Sequence, residues 1–197
     1  MKVLIIKPSS LGDIIHALRV VQLLVRSCGG MEIHWVVKKG LEGILEASGI
    51  VDQIFLFERG GGFFKYYRLG QALRAKKYDY VLDLQGLLRS AVLAKWANGK
   101  QTLGRADGRE GATLFYQSVG EPDRKRELHA IERMIPFVEG TSFVSSKQDL
   151  FLLPEKNVEK MSRNHNVTVV NIDRQHLFGN FIENVVENLT EKGNSNE

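Results

Sequence analysis

The chain has 197 residues, of which 43% are hydrophobic and 25% are charged, a composition typical of a globular protein. This length suffices for one domain and part of a second. The single cysteine, Cys28, excludes an internal disulfide and fits a reducing cytosol. No Cys/His cluster has the spacing of a structural metal site. The apolar run that follows Lys2 is too short for a signal peptide, and no stretch resembles a transmembrane span.

The charge is distributed unevenly along the chain. Residues 151–197 hold five Lys/Arg and seven Asp/Glu, a net charge of −2, so the remainder must carry +6 to give the overall +4. A basic N-terminal part suits an anionic partner such as a phosphorylated sugar, an anionic lipid surface or a nucleic acid. The alternative is that these cations only solvate helix surfaces.

The first 150 residues alternate short apolar runs with helical patterns. The apolar runs predict strands at 3–6, 32–37, 54–57 and 80–84, with a weaker signal at 101–104. The helical patterns begin near residue 14 and recur at 41–47, 63–75, 89–97 and 129–138. Such alternation predicts an α/β fold, a three-layer α/β/α domain around a Rossmann-like parallel sheet.

The pattern changes after the fifth apolar run. Four glycines punctuate residues 104–120, which predicts a long surface loop at 105–122. Residues 140–148 have the composition of a linker, and residues 167–172 and 178–192 form one strand–helix unit. We therefore expect a domain at 1–150, followed by a linker and a partial second domain at 151–197.

The loop after the first strand carries the strongest candidate for chemistry. Lys7, Ser9, Ser10 and Gly12 are predicted to form a polar turn, with Asp13 at the start of the following helix. In open α/β sheets, ligands bind at this carboxyl edge. Asp13 is either a helix cap or a general base, and both interpretations remain open. Lys7 either pairs with Asp13, meets an anionic ligand, or only caps the strand.

A similar arrangement follows the fourth strand, where Asp83 and Gln85 precede a glycine. Two strand ends that aim polar side chains at one edge predict a cleft, although Asp83 can instead orient the turn. Cations from loops at the same edge would recognise anions. The candidates are Arg59, Lys65, Arg105 and Arg109.

Several other site types are disfavoured. No GxGxxG or GxxxxGK[ST] motif occurs, which argues against dinucleotide or P-loop chemistry. Basic and aromatic residues do not interleave as in nucleic-acid readers, so no nucleic-acid partner is expected. His129 begins a helical pattern and is either a site residue or a cap.

Four stretches together resemble one family. They are KPSSLGDIIHAL at 7–18, YDYVLDLQGLLRSA at 78–91, REGA at 109–112 with LFY at 114–116, and HAIER at 129–133. They resemble the signatures of the ADP-heptose:lipopolysaccharide heptosyltransferases, most of all the heptosyltransferase I branch. The four matches occur in order across the first 133 residues, which makes the resemblance specific.

The resemblance implies a two-lobed glycosyltransferase of the GT-B type, whose N-terminal lobe holds the acceptor and whose C-terminal lobe binds ADP-heptose. It implies inverting transfer of heptose to the Kdo of the lipopolysaccharide inner core, that is, to a Kdo-lipid A acceptor, with no required cofactor. It also implies a cytoplasmic location, peripheral to the inner membrane. The family's catalytic base matches Asp13, and its basic acceptor-binding positions map to Arg59, Lys65 and Arg109.

Two departures from the family pattern stand out. Residue 19 is Arg where the family usually has Pro. After the strand at 167–172, residues 173–180 read DRQHLFGN instead of the family's sugar-nucleotide loop, and the chain ends soon afterwards. We therefore expect a donor site that is largely missing and weak or no activity for these residues alone. The alternative is a non-catalytic module that binds anionic core saccharide.

Overall fold

A computed structural model describes residues 1–58, 60, 62–120, 122 and 133–140. These residues belong to the first of two units of the chain, Met1–Val144. The predictions made for Arg59, His129, the linker at 140–148 and the strand–helix unit near the end of the chain concern positions outside the described residues, apart from residue 140 itself.

The described part contains six strands and five helices, close to the predicted positions. The strands are β1 (Lys2–Ile6), β2 (Glu32–Lys38), β3 (Gln53–Phe57), β4 (Tyr80–Asp83), β5 (Gln101–Arg105) and β6 (Gln117–Val119). The helices are α1 (Leu11–Cys28), α2 (Glu42–Ser48), α3 (Gly62–Arg74), α4 (Leu88–Ala97) and α5 (Ile135–Gly140), with a 3₁₀ turn at Ala112–Leu114.

All six strands form one parallel sheet in the order β3-β2-β1-β4-β5-β6. Strands β2 and β3 lie on one side of β1, and the chain then crosses over so that β4, β5 and β6 lie on the other side. The loops after β1 and β4 therefore diverge at the centre of the sheet, which is where ligands bind in folds of this topology. The predicted parallel Rossmann-like architecture is confirmed.

Helices cover both faces of the sheet, which is why its central strands are apolar throughout. Alternate residues of β1 and β2 (Leu4, Ile6 and Val36) form one core with Leu69 of α3 and Leu93 of α4. On the other face α1 packs against α2 and α5. The apolar stripe of α1 that the sequence predicted is fully buried at Ile14, Leu18, Val21 and Leu24.

Three boundaries differ from the predictions. Helix α5 begins at Ile135, after a turn at residues 133 and 134 that the predicted helix at 129–138 included, and it ends at Gly140. Helix α1 begins at Leu11, with Ser10 as its N-cap, so Gly12 lies in its first turn instead of in the preceding loop, together with Asp13. The predicted surface loop at 105–122 contains the 3₁₀ turn and the edge strand β6. This strand was missed because it has only three residues, two of them exposed, and so shows no apolar run.

The same stretch is held in place by a small apolar cluster of its own. Tyr116 packs with Ala112 against Ala91 of α4, and its hydroxyl donates a hydrogen bond of 3.0 Å to the carbonyl of Arg105. A Cβ atom at Gly104 would lie 2.4 Å from the Tyr116 ring, so glycine is required there. The segment is therefore an ordered wall beside the central loops.

Candidate functional site

The candidate site lies at the carboxyl ends of the neighbouring strands β1 and β4, where the loops that follow them begin. Ile6, the last residue of β1, is in register with Asp83, the last residue of β4. Each loop leads into a helix, α1 after the first and α4 after the second. The tertiary structure thus places both polar motifs at the carboxyl edge of neighbouring strands, as the sequence predicted.

Lys7 and Asp13 form an ion pair at the start of α1. Lys7 Nζ lies 3.5 Å from Asp13 Oδ2, and the Lys7 side chain is 4% exposed while that of Asp13 is 43% exposed. Asp13 Oδ2 also accepts hydrogen bonds of 3.2 Å from the backbone N–H and from the hydroxyl of Ser10. All of these contacts go to Oδ2, so Oδ1 has no hydrogen-bond or ion-pair partner among the described residues.

The surroundings keep Asp13 ionised. Partial burial acts to raise the pKa of Asp13, but the charge of Lys7 and the two Ser10 hydrogen bonds outweigh it, and the net pKa is lowered. Desolvation lowers the pKa of the buried Lys7 amine, and Asp13 opposes that effect. A carboxylate with one open oxygen can accept a proton from a bound hydroxyl group.

Gly12, the neighbour of Asp13 in the first turn of α1, faces open space. A Cβ at Gly12 would meet no atom within 4 Å, and its backbone is not in the left-handed region. The described fold therefore gives no packing reason for glycine here. Glycine costs helix stability, and the open space at Gly12 permits a ligand to approach the start of α1.

Asp83 has a different environment, because it is completely buried. Its Oδ1 accepts hydrogen bonds of 3.0 and 3.2 Å from the backbone N–H groups of Gln85 and Gly86, and its Oδ2 accepts one of 3.0 Å from the Ser90 hydroxyl. Burial raises the pKa of Asp83 to about 6, and these hydrogen bonds oppose that effect. The geometry favours the interpretation in which Asp83 orients the β4–α4 turn.

Gln85 lines a cavity of about 380 Å³ next to this turn. Ser9 lines the same cavity, and its neighbour Ser10 holds Asp13. The Gln85 side-chain oxygen Oε1 is buried and has no hydrogen-bond partner among the described residues. An unpaired buried acceptor costs about 1–3 kcal/mol, so a ligand hydroxyl that donated to it would remove a penalty present in the free protein.

The predicted cations are placed unequally. Arg105 is held by Asp107, with 2.7 Å between Nε and Oδ1, and Lys65 pairs with Glu58. The Arg109 side chain is exposed. Its backbone N–H donates a hydrogen bond of 2.8 Å to the Gly86 carbonyl, which connects the motif at 109–112 directly to the motif at 78–91. Among the candidates in the described ranges, Arg109 is therefore the rim cation whose side chain no described carboxylate holds.

Two cations that the sequence prediction omitted line the cavity, namely Lys38 and Arg89. Lys38 ends β2, and Arg89 lies in the first turn of α4 with its guanidinium 6.0 Å from the centre of the Phe57 ring. Lys38 could have been predicted in the same way as Arg59, because both residues lie at or next to the carboxyl end of a predicted strand. Arg89 was already part of the second quoted motif.

No group of three or more His, Cys, Asp or Glu side chains in the described ranges is arranged to hold a metal ion. No helix among the described residues combines the length and the apolar character needed to cross a membrane.

Comparisons with known proteins agree with the motif resemblance. Residues 66–166 match the model of glycosyltransferase family 9 (heptosyltransferase). The chain is 33% identical over 147 residues to lipopolysaccharide heptosyltransferase 1 of Escherichia coli K12, covering 68% of the chain and 45% of the relative. It is 34% identical over 96 residues to the Campylobacter coli enzyme of the same name, covering 48% of the chain and 28% of the relative.

The fold agrees as well. The structure of E. coli heptosyltransferase WaaC with ADP-2-deoxy-2-fluoro heptose superposes with a TM-score of 0.65 at 30% identity, covering 75% of this chain and 50% of that one. E. coli ADP-heptose lps heptosyltransferase II gives a TM-score of 0.60 at 24% identity, over 79% of this chain and 44% of that one, a likeness of fold. The chain spans about half or less of each of these proteins.

Proposed function

Because this chain belongs to glycosyltransferase family 9, the heptosyltransferases, we propose that it forms the acceptor-binding half of a heptosyltransferase. The donor would be ADP-heptose and the acceptor the Kdo of the lipopolysaccharide inner core, reached at the cytoplasmic face of the inner membrane. The support for the donor is that a related solved structure holds a fluorinated ADP-heptose and another holds ADP.

The observation that carries the proposal is the arrangement of Asp13. Inverting transfer requires one carboxylate to remove the proton of the acceptor hydroxyl as that oxygen attacks the anomeric carbon. Asp13 is ionised, its Oδ1 has no partner among the described residues, and its neighbour Gly12 faces open space. Lys7 and Ser10 hold Oδ2 and so fix the orientation of the carboxylate. When an acceptor covers Asp13, the loss of water raises its pKa and makes it a stronger base.

The cavity that Ser9 and Gln85 line suits the proposed acceptor. Kdo is a carboxylated sugar, and its carboxylate would meet the cations Lys38 and Arg89 while a hydroxyl donates to the unpaired Gln85 oxygen. Arg109 would meet a phosphate or a second carboxylate at the rim. Asp83 would act indirectly, because its buried hydrogen bonds shape the turn that carries Gln85.

Asp13→Asn tests the role of Asp13 as the base. Asn has the same size and its amide oxygen can still accept the Ser10 hydrogen bonds, so the fold should be retained. Stability should fall by about 1 kcal/mol, because the buried Lys7 loses its charge partner. Transfer should fall by about 10²–10⁴-fold, the usual contribution of a positioned base. Transfer is measured with the chain alone and with the chain joined to the donor-binding half of a family 9 relative.

Asp79→Asn is the matched control, because Asp79 also accepts a backbone hydrogen bond, from Lys2 at 2.9 Å, but precedes β4 at the opposite edge of the sheet. It should leave transfer unchanged. Near-normal transfer by Asp13→Asn would show that Asp13 only caps α1.

The second candidate is a module that binds anionic core saccharide without transferring heptose. The observation that favours it is that Lys38, Arg89 and the unpaired Gln85 oxygen line one cavity and could hold an anionic sugar whether or not transfer follows. Calorimetry separates the two functions. Binding of ADP by the chain with an affinity like that of a full-length relative supports the enzyme, whereas binding of a Kdo-containing acceptor without ADP supports the module.

A further inference from the structure

Three aromatic side chains at the start of α3 are exposed to solvent, and we call them the α3 aromatic patch: Phe63, Phe64 and Tyr67. Their exposed fractions are 73%, 81% and 42%. The Phe63 ring centre lies 6.4 Å from that of Phe64 and 6.2 Å from that of Tyr67. Tyr67 in turn packs edge-on against Trp96 of α4 at 5.1 Å. Contiguous exposed apolar groups of this kind mark interaction surfaces.

The charge on α3 itself is of one sign, while Glu58, which pairs with Lys65, and Glu110 line the neighbouring groove. Residues 62–77 contain five Lys/Arg and no Asp or Glu. Arg68 and Arg74 are exposed on the solvent side of α3, while Leu69 and Leu73 face the core. Helices whose exposed face combines aromatic residues with cations bind at the interface of anionic lipid bilayers. A protein partner would have to offer an acidic surface and an apolar pocket together, whereas an anionic bilayer supplies both everywhere.

The patch is continuous with the candidate site. Phe63 lines a groove of about 570 Å³ whose walls include Phe57, Leu88 and Arg89. Phe57 and Arg89 also line the cavity that contains Gln85 and Ser9. A single path therefore leads from the exposed aromatic rings to the loop that holds Asp13.

We infer that the α3 aromatic patch inserts into the headgroup region of an anionic lipid bilayer and brings the mouth of the groove against the membrane. The choice of this orientation rests on the proposed function, because an acceptor with acyl chains would enter the groove with its sugar leading. The binding itself is measured without donor or acceptor, so its failure leaves the proposed transfer untouched.

The test is co-sedimentation of the 197-residue chain with vesicles of phosphatidylcholine alone and of phosphatidylcholine mixed with phosphatidylglycerol. We expect binding to the anionic vesicles that weakens in high salt. The double variant Phe63→Ser/Phe64→Ser should bind at least about tenfold more weakly. Arg68→Gln should weaken binding by about fivefold.

Matched controls lie elsewhere on the molecule. Leu114→Ser removes an apolar side chain that is 85% exposed but belongs to the 3₁₀ turn, and Arg26→Gln removes an exposed charge from α1 on the opposite face of the sheet. Neither should change binding to vesicles as much as its counterpart in α3. Circular dichroism of each variant checks that the fold is retained.

Insertion has a signature that loss of folding cannot imitate. Brominated lipids should quench the fluorescence of a Phe63→Trp variant more than that of Leu114→Trp. Equal quenching of the two, or vesicle binding that Phe63→Ser/Phe64→Ser does not weaken, would overturn the inference. So would sedimentation of the wild-type chain as a dimer that Phe63→Ser/Phe64→Ser converts to a monomer, because the patch would then join two copies of the chain.

Discussion

Replacing Lys7 with Met should make Asp13 a stronger base. Met keeps the length and the apolar stem of the buried side chain but removes the charge 3.5 Å from Asp13 Oδ2. At that distance, two unit charges interact by about 5 kcal/mol at an effective dielectric of about 20 and by about 1 kcal/mol in water. Because the Asp13 side chain is 43% exposed, solvent screens the pair, and we take the lower end, about 1 kcal/mol of ionisation free energy.

The measurement is a titration of the Asp13 carboxyl carbon by ¹³C NMR, assigned with Asp13→Asn. Lys7→Met should move the Asp13 midpoint to higher pH, and the acidic limb of the transfer rate should move with it. Lys100→Met is the control, because Lys100 lies 2.7 Å from Asp79 but is 80% exposed. Its removal should move the Asp79 midpoint less, despite the shorter distance. An unchanged Asp13 midpoint in Lys7→Met would refute the argument that burial of Lys7 strengthens the pair.

Two further variants test the walls of the site. The pKa of Asp83 is raised to about 6 from its ordinary value of 3.8, so Asp83 stabilises the fold below pH 4 relative to pH 7, and this contribution is lost as the pH rises through 6. Urea unfolding should therefore show the stability of wild type relative to Asp83→Asn increasing by about 2 kcal/mol from neutral pH to about pH 4, and a pH-independent difference would contradict this. Gly104→Ala should cost about 1–3 kcal/mol, because its Cβ would displace Tyr116. Gly43→Ala in α2, where a Cβ meets nothing within 4 Å, should be neutral or stabilising by up to about 1 kcal/mol, and equal losses in both would argue against the packing explanation.

Local sequence pattern predicted much of this fold because strands and helices here are set by periodicity. The four unbroken apolar residues before Lys7 predicted a central strand, and β1 is buried on both faces. The stripe from Ile14 to Leu24 predicted α1. Parallel strands all present their carboxyl ends at one edge, so the positions of Asp13 and Asp83 relative to the ends of β1 and β4 were sufficient to bring them together.

Tertiary structure alone decided what each polar residue does. Asp83 ends β4, and Asp13 lies in the helix that follows the neighbouring strand β1. Only tertiary packing leaves the Asp13 side chain 43% exposed to solvent and buries Asp83 beneath the β4–α4 turn. Asp107 holds Arg105, while Arg109 remains exposed, although the two arginines lie four residues apart. The physical reason is that burial and partners come from segments distant in sequence. A pattern of residue types determines which edge a side chain reaches, whereas the neighbouring elements determine its solvation, its charge and its free hydrogen-bonding atoms.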